Sequence, residues 1–350
     1  MAAVQVPVAA RRERDTALDN TGILIAHWNG RFGNRMHQYA YAAQYAARFG
    51  IDCVLPAEWE GTHLFERQDH KIVGDDELRL LINQTQPSYD TLEARTRAID
   101  AFNTRTGSQY ELIDPHDPRV NWAGKCSVFV DSICAYHHTI FEQMSSQCLR
   151  NELFVFSDEV RRTRAFQEYC SRQGTYDVAH LRRDDVANAL NNKHGVQGYS
   201  VLSRDSYFRA FEQYGYDPAT IEWVSDDYSG KWHPDRPVEV RGGWSYPVGS
   251  EYLGPDLVFD WLADFLKLYF ARTIFRANSS FSWWASFLSP TARTFSPVLH
   301  RQVIYGRDSL EEVDYEFVEG NHPHWMYGCN DIHFCEELEP ARSRRWRRRG

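Results

Sequence analysis

The chain has 350 residues, enough for two domains of ordinary size, and at 43% hydrophobic and 25% charged it is neither fibrous nor disordered in composition. Its formal net charge is −9 even though the last ten residues, 341–350, hold six arginines and no acid. An acidic body lacks the basic surface that displaces counterions from nucleic acid, so nucleic acid is not an expected partner.

The first 20 residues, with Arg11, Arg12 and Arg14, have no apolar core of a signal peptide and read as a flexible lead-in. Gly22 to His27 is a short apolar run and predicts a buried parallel strand, closed by the polar turn Asn29-Gly30-Arg31-Phe32-Gly33-Asn34. Met36 to Phe49 predicts a helix that Gly50 caps, and Ile51 to Leu55 a second strand, completing a βαβ unit. Residues 60–125 are polar and predict only short elements; Ser127 to Asp131 predicts another strand. A helix is expected from Ser157 to Gln173, ended by Gly174.

A second α/β pattern starts with the strand Asp177 to His180. A helix over Ser206 to Tyr214, a strand over Ile221 to Ser225 and an amphipathic helix over Asp256 to Phe270 follow. Thr273 to Ala277 predicts a strand, Asn278-Ser279-Ser280 a turn, and Phe281 to Leu288 a helix stopped by Ser289-Pro290. The organisation expected is α/β, with two Rossmann-like domains facing across a cleft: lead-in 1–20, acceptor-side domain 21–155, donor-binding domain 156–335 and basic tail 336–350.

Seven scattered cysteines without a CxxC pair point to reduced thiols and a cytoplasmic setting. His322, His324, Cys329, His333 and Cys335 crowd together, but their spacing fits no standard zinc site, so no metal and no cofactor are expected. No run of about eighteen apolar residues occurs, so no integral membrane segment is expected. Aromatic residues make up 14% of the chain, consistent with an aromatic core and with stacking surfaces for sugars or bases.

Three polar clusters fall where strands end, the edge at which open α/β sheets bind ligands. His180, Arg182, Arg183 and Asp185 form the first; guanidinium forks suit phosphates, and neutralising a departing diphosphate lowers the barrier to its expulsion. The second is Arg276-Ala277-Asn278-Ser279-Ser280-Phe281, a strand-to-helix turn whose backbone amides make an anion site, with Asn278 or Ser279 also suited to cap the helix. The third is Gly30 to Asn34, which lacks the GxGxxG spacing of a dinucleotide site; no GxxxxGK[ST] phosphate loop occurs either.

Taken together these residues resemble a known family. Gly30-Arg-Phe-Gly-Asn-Arg-Met-His-Gln-Tyr-Ala40 resembles the N-terminal motif of α-1,2-fucosyltransferases, and His180-Leu-Arg-Arg-Asp-Asp185 is similar to the HxRRxD donor motif shared by α-1,2-, α-1,6- and protein O-fucosyltransferases. Ser225-Asp226-Asp227 and Asn278-Ser-Ser-Phe-Ser-Trp-Trp284 resemble the remaining α-1,2 blocks, in the same order, from residue 22 to about 290. The resemblance implies a GT-B fold and an inverting, metal-independent transfer of fucose from GDP-fucose to a glycan hydroxyl. It implies Arg182, with Asn34 and Asp185, as the catalytic group, and Arg182 on the donor β-phosphate. It also implies donor contacts from Arg31, His180, Arg183, Asp226, Asp227, Asn278, Ser279, Ser280 and Phe281. The chain departs from the α-1,2 pattern at Asp184, where Gly is usual, and at Arg35-Met36-His37, where Gln-Met-Phe is usual. His27, Asp131 and His137 are candidate bases for the acceptor hydroxyl. Two other readings stay open: transfer from a different GDP-sugar, and an inactive glycan- or nucleotide-binding protein. The lack of a membrane anchor suggests a soluble bacterial or viral protein, or an excised domain.

Overall fold

A computed structural model describes residues 22–25, 28, 31–56, 59–66, 70–73, 109–112, 127–129, 146–182, 201–225, 259, 261–298, 312–313 and 315–321, with isolated positions 97, 100, 101, 103, 104 and 107. The chain divides into two compact units, 1–62 with 67–145, and 63–66 with 146–350. Among the described residues, each is built on its own five-stranded sheet.

The first unit contains β1 (Gly22–Ile25), α1 (Phe32–Phe49), β2 (Asp52–Pro56), β3 (Lys71–Val73), β4 (Glu111–Leu112) and β5 (Ser127–Phe129). Its strands run in the order β3-β2-β1-β5-β4 and every pairing is parallel. The chain therefore winds outward from β1 to β3, resumes at the opposite edge with β4 and comes back in to β5, so strand order reverses beside β1. The glycine-containing turn was expected to end before the helix. Instead α1 begins at Phe32 and takes Gly33 and Asn34 into its first turn, with Arg31 as an extended N-cap (φ −99, ψ 178). Gly50 at φ 64 ends the helix as expected, and the N–H groups of Gly50 and Ile51 both close on Ala46 O.

The second unit holds α2 (Asp158–Arg162), α3 (Arg164–Ser171), β6 (Asp177–Leu181), β7 (Val201–Leu202), α4 (Arg204–Tyr214), β8 (Glu222–Ser225), α5 (Leu262–Tyr269), β9 (Thr273–Phe275), α6 (Ser280–Leu288), β10 (Arg293–Val298), β11 (Glu312–Val313) and β12 (Glu316–Glu319). The single helix expected over 157–173 is two. Thr163 adopts extended backbone (φ −64, ψ 148), and its hydroxyl accepts the Phe166 N–H while donating to Val160 O, closing one helix and opening the next. Helix α5 starts at Leu262 after the non-helical Phe259; most of the expected first turn from Asp256 lies outside the described residues.

The main sheet runs β12-β10-β9-β6-β8, parallel except for the antiparallel edge strand β12. Its edge strands carry carboxylates: Glu222 on β8, and Glu316 and Glu319 on β12. β7 and β11 form a separate parallel pair. All five residues of β6 are buried, as in a strand covered on both faces.

One side of this sheet is packed with rings. Phe275 stacks on Phe295 at 4.7 Å and meets Phe211 of α4 edge-on at 4.7 Å, while Tyr207 lies 5.1 Å from Phe317. Offset and edge-to-face arrangements of this kind add to simple area burial. Because Phe275 is fully buried between two other rings, Phe275→Ala should lower the unfolding free energy by about 3–5 kcal/mol, read by denaturant titration. A loss under about 1 kcal/mol would contradict this packing.

Candidate active site

In the second unit the chain passes from β6 outward to β8 and then returns to β9 on the other side of β6. The carboxyl ends of β6 and β9 therefore flank a topological switch point, the crevice where open α/β sheets hold ligands. Two sequence clusters meet there. His180 and Leu181 close β6 with Arg182 directly after, and Arg276 to Ser279 join β9 to α6.

The contact is direct: Arg182 Nη1 donates to Asn278 O at 3.1 Å, joining residues 96 apart in sequence. Arg182 itself remains half-buried, within reach of a ligand. Asn278, Ser279 and Ser280 are buried. Ser279 is the N-cap of α6: its backbone is extended (φ −152, ψ 133) and its hydroxyl accepts the Phe281 N–H at 3.3 Å. Ser282 donates its hydroxyl back to Ser279 O at 3.3 Å, tightening the first turn. Phe281 is half-buried, 5.8 Å from the His180 ring and 5.4 Å from Phe265. Trp283 and Trp284 point into the core, 2% and 0% exposed, and hold the helix by its far side. A guanidinium beside a helix N-terminus is an arrangement that binds anions, phosphates above all.

Behind His180, Tyr207 of α4 donates its hydroxyl to His180 O at 2.6 Å. This support is invisible in the sequence, since nothing in the amphipathic pattern of residues 206–214 marks one tyrosine as the partner of a strand 27 residues earlier. Arg276 is completely buried, and its Nε and Nη2 donate to Ser296 Oγ at 3.2 and 2.6 Å. Here a signal existed: an arginine closing an otherwise apolar strand.

Arg31 and Asn34 belong to the first unit. Arg31 O accepts the N–H groups of Asn34 and Arg35 at 2.8 and 3.0 Å, and Asn34 is buried. Arg35, one of the departures from the family pattern, pairs with the buried Glu60 at 2.9 Å and ties the first turn of α1 to the segment after β2. His37, a second departure, is 1% exposed, and burial holds its proton affinity well below the ordinary value. Trp59 lies nearby, ringed by Trp28, Phe32 and Tyr39 at 5.0, 6.1 and 5.0 Å.

Arg183, Asp184, Asp185, Asp226 and Asp227 lie outside the described residues, as do the candidate bases His27, Asp131 and His137 and the His322–Cys335 cluster. Among the described residues no helix is long and apolar enough to cross a membrane.

No protein-family model matches the chain, and no curated protein matches it. Solved structures do. An α-1,6-fucosyltransferase NodZ soaked with GDP-fucose matches at 17% identity over 86% of this chain and 99% of its own, with a TM-score of 0.41. A crystal structure of the NodZ fucosyltransferase from Bradyrhizobium matches at 15% identity over the same shares, with a TM-score of 0.42. A variant of Arabidopsis thaliana FUT1 in complex with GDP matches at 11% identity over 79% of this chain and 70% of its own, with a TM-score of 0.40. At such values the chemistry of the site has to come from this chain's own residues.

Two expectations follow. Tyr207→Phe leaves a buried carbonyl without its donor and should destabilise the chain by about 1–3 kcal/mol in denaturant titration; a neutral substitution would show that the bond does not matter. The unfolded chain protonates His37 near the usual 6.5, while the buried ring resists. Stability is therefore full above that pH and falls below it, by about 1.4 kcal/mol per pH unit until the buried ring is itself protonated. His37→Phe should flatten the urea midpoint between pH about 6.5 and about 5, and an unchanged slope would exclude His37 as its source.

Proposed function

We propose that the chain is an inverting, metal-independent glycosyltransferase of GT-B architecture that moves fucose from GDP-fucose to a glycan hydroxyl. The observation that carries this reading is the Arg182–Asn278 hydrogen bond, which unites the His-Leu-Arg and Asn-Ser-Ser-Phe motifs at one switch point. Each motif alone fits a structural ion pair or an ordinary helix cap. Joined, they make a charged fork beside a helix N-terminus, the equipment a departing diphosphate needs.

Arg182 is assigned to the β-phosphate, where it stabilises charge as the bond from the anomeric carbon to the GDP oxygen breaks. GDP leaves with the electron pair, and the acceptor hydroxyl oxygen forms the new bond to that carbon from the opposite face. Its proton passes to a base, for which His27, Asp131 and His137 are the candidates, or late to the departing phosphate. Ser280 is assigned to the phosphates through amide and hydroxyl and Ser279 through its hydroxyl, its own amide donating to Ala277 O at 2.9 Å, with Asn278 and Phe281 beside them, and His180 supports the strand end. Arg31 and Asn34 are assigned to the sugar and leaving group. Arg183, Asp185, Asp226 and Asp227 keep the donor-side roles the motif resemblance implies, with residues 156–335 as the donor domain and 21–155 as the acceptor domain.

Arg182→Ala should reduce GDP release in the presence of donor and mixed acceptors by about 10²–10³-fold, the scale of losing one preorganised charge donor. Thermal stabilisation by GDP compounds should exceed that by UDP or dTDP compounds. Full turnover in the Arg182 variant, or stabilisation by UDP alone, would sink the assignment.

A further inference from the structure

Arg276 stands apart from the ligand-facing groups. Its side chain is fully buried, so it cannot itself touch a ligand, yet it is two residues from Asn278 at the root of the anion-binding turn. Its backbone N–H pairs with Phe295 O at 2.9 Å, and two of its guanidinium nitrogens converge on Ser296 Oγ. Ser296, also fully buried, passes the link on by donating to Gly320 O at 2.5 Å. The next residue, Asn321, donates its amide to Trp283 O of α6 at 3.2 Å. Burial disfavours the charged guanidinium, and Tyr207, which holds His180 O, offsets only part of that; an arginine keeps its proton at this depth all the same. The guanidinium therefore sits beneath the carboxyl ends of β9 and β10 and beside the support of β6, connected through one chain of hydrogen bonds to the helix that the turn begins.

A charge in such a place is expensive to bury and weakly screened once buried. We propose that Arg276 is a positioning residue for the donor site, fixing the 277–280 turn from inside the sheet and lending it a positive charge that solvent and salt do not reach. The inference rests on the reading of this turn as a diphosphate site. It assigns the site two cations of different kinds: Arg182, which meets the ligand, and Arg276, which holds the receiving backbone in place and biases its potential.

The test is calorimetric titration of the full chain with GDP and, separately, with inorganic pyrophosphate. Arg276→Met keeps the bulk and removes the charge, and should weaken binding of both probes by about tenfold. Arg276→Lys should restore part of that loss. The ratio to wild type should hold between about 50 and about 500 mM salt, because a buried charge is little screened, whereas the penalty of Arg182→Ala should shrink as salt rises. A merely structural role is excluded by Val178→Ala, a core truncation early in β6: at a matched fall in Tm it should leave both affinities unchanged. Equal weakening by Val178→Ala, or wild-type affinity in Arg276→Met, overturns the proposal.

Should Arg276→Met fail to fold, Ser296→Ala decides. It keeps the charge but releases the anchor, and should weaken pyrophosphate binding about threefold or more; unchanged affinity overturns the proposal. Wild type that binds pyrophosphate but not GDP refutes the nucleotide reading while the pyrophosphate arm still decides on Arg276. Wild type that binds neither refutes both.

Discussion

A parallel sheet entered in the middle must send its chain first to one side and then to the other, and the gap left where the two directions part cannot be filled by a connecting loop. In the second unit that gap lies between β6 and β9, and everything of chemical interest in this unit gathers around it. The Arg182 guanidinium bridges the gap by holding Asn278 O. The bond lets a charged group stay half-exposed with part of its hydrogen-bonding capacity already spent on the protein, so its direction is set before any ligand arrives. Preorganisation of this kind is worth more than the bond energy, because a ligand meeting an oriented charge does not have to order it.

The supports of the gap form layers. Nearest the proposed donor site are Arg182, the Ser279 cap and Phe281. Beneath them Tyr207 and Arg276 fix the strand ends through backbone and hydroxyl oxygens. Deeper still, the rings of Phe211, Phe275 and Phe295 pack against one another at 4.7 Å. A shift of β9 against β10 would break the stacking of Phe275 on Phe295 as well as the hydrogen bonds of Arg276, so core packing and site geometry resist the same displacement.

Much of this was legible in the residues, and the failures are instructive. Apolar runs closed by polar clusters marked β1, β6 and β9, because strands buried on both faces leave no polar positions to confuse the pattern. Ser279 was one of two candidate caps for α6, and the structure selects it. The start of α1 was misplaced because Gly33 and Asn34 are poor helix formers; tertiary burial of the first turn overrides their propensity. Thr163 gave no warning of the break between α2 and α3, since a threonine inside a helical pattern reads as tolerable until its hydroxyl is seen serving both helices. Tyr207 and Ser296 were out of reach for a different reason: their roles are contacts between segments distant in sequence, and a single chain of letters carries no record of distance. The carboxylates of residues 184–185 and 226–227 lie outside the described residues, so their roles rest on motif alone.

The carboxylates on the outer strands of the second unit's sheet bear on how this protein behaves among its own copies. A strand at the margin offers a row of backbone groups to any extended segment that drifts past, including the same strand of another molecule. Here β12 is short, reverses direction relative to its neighbour, and displays Glu316 and Glu319, while Glu222 begins β8 at the opposite margin. Glu319 is held by Arg293, and Glu222 by Arg172 and Lys267, so each margin presents hydrated ion pairs that an arriving strand would have to strip of water or break. A margin this short and this charged is a poor template for pairing with another copy.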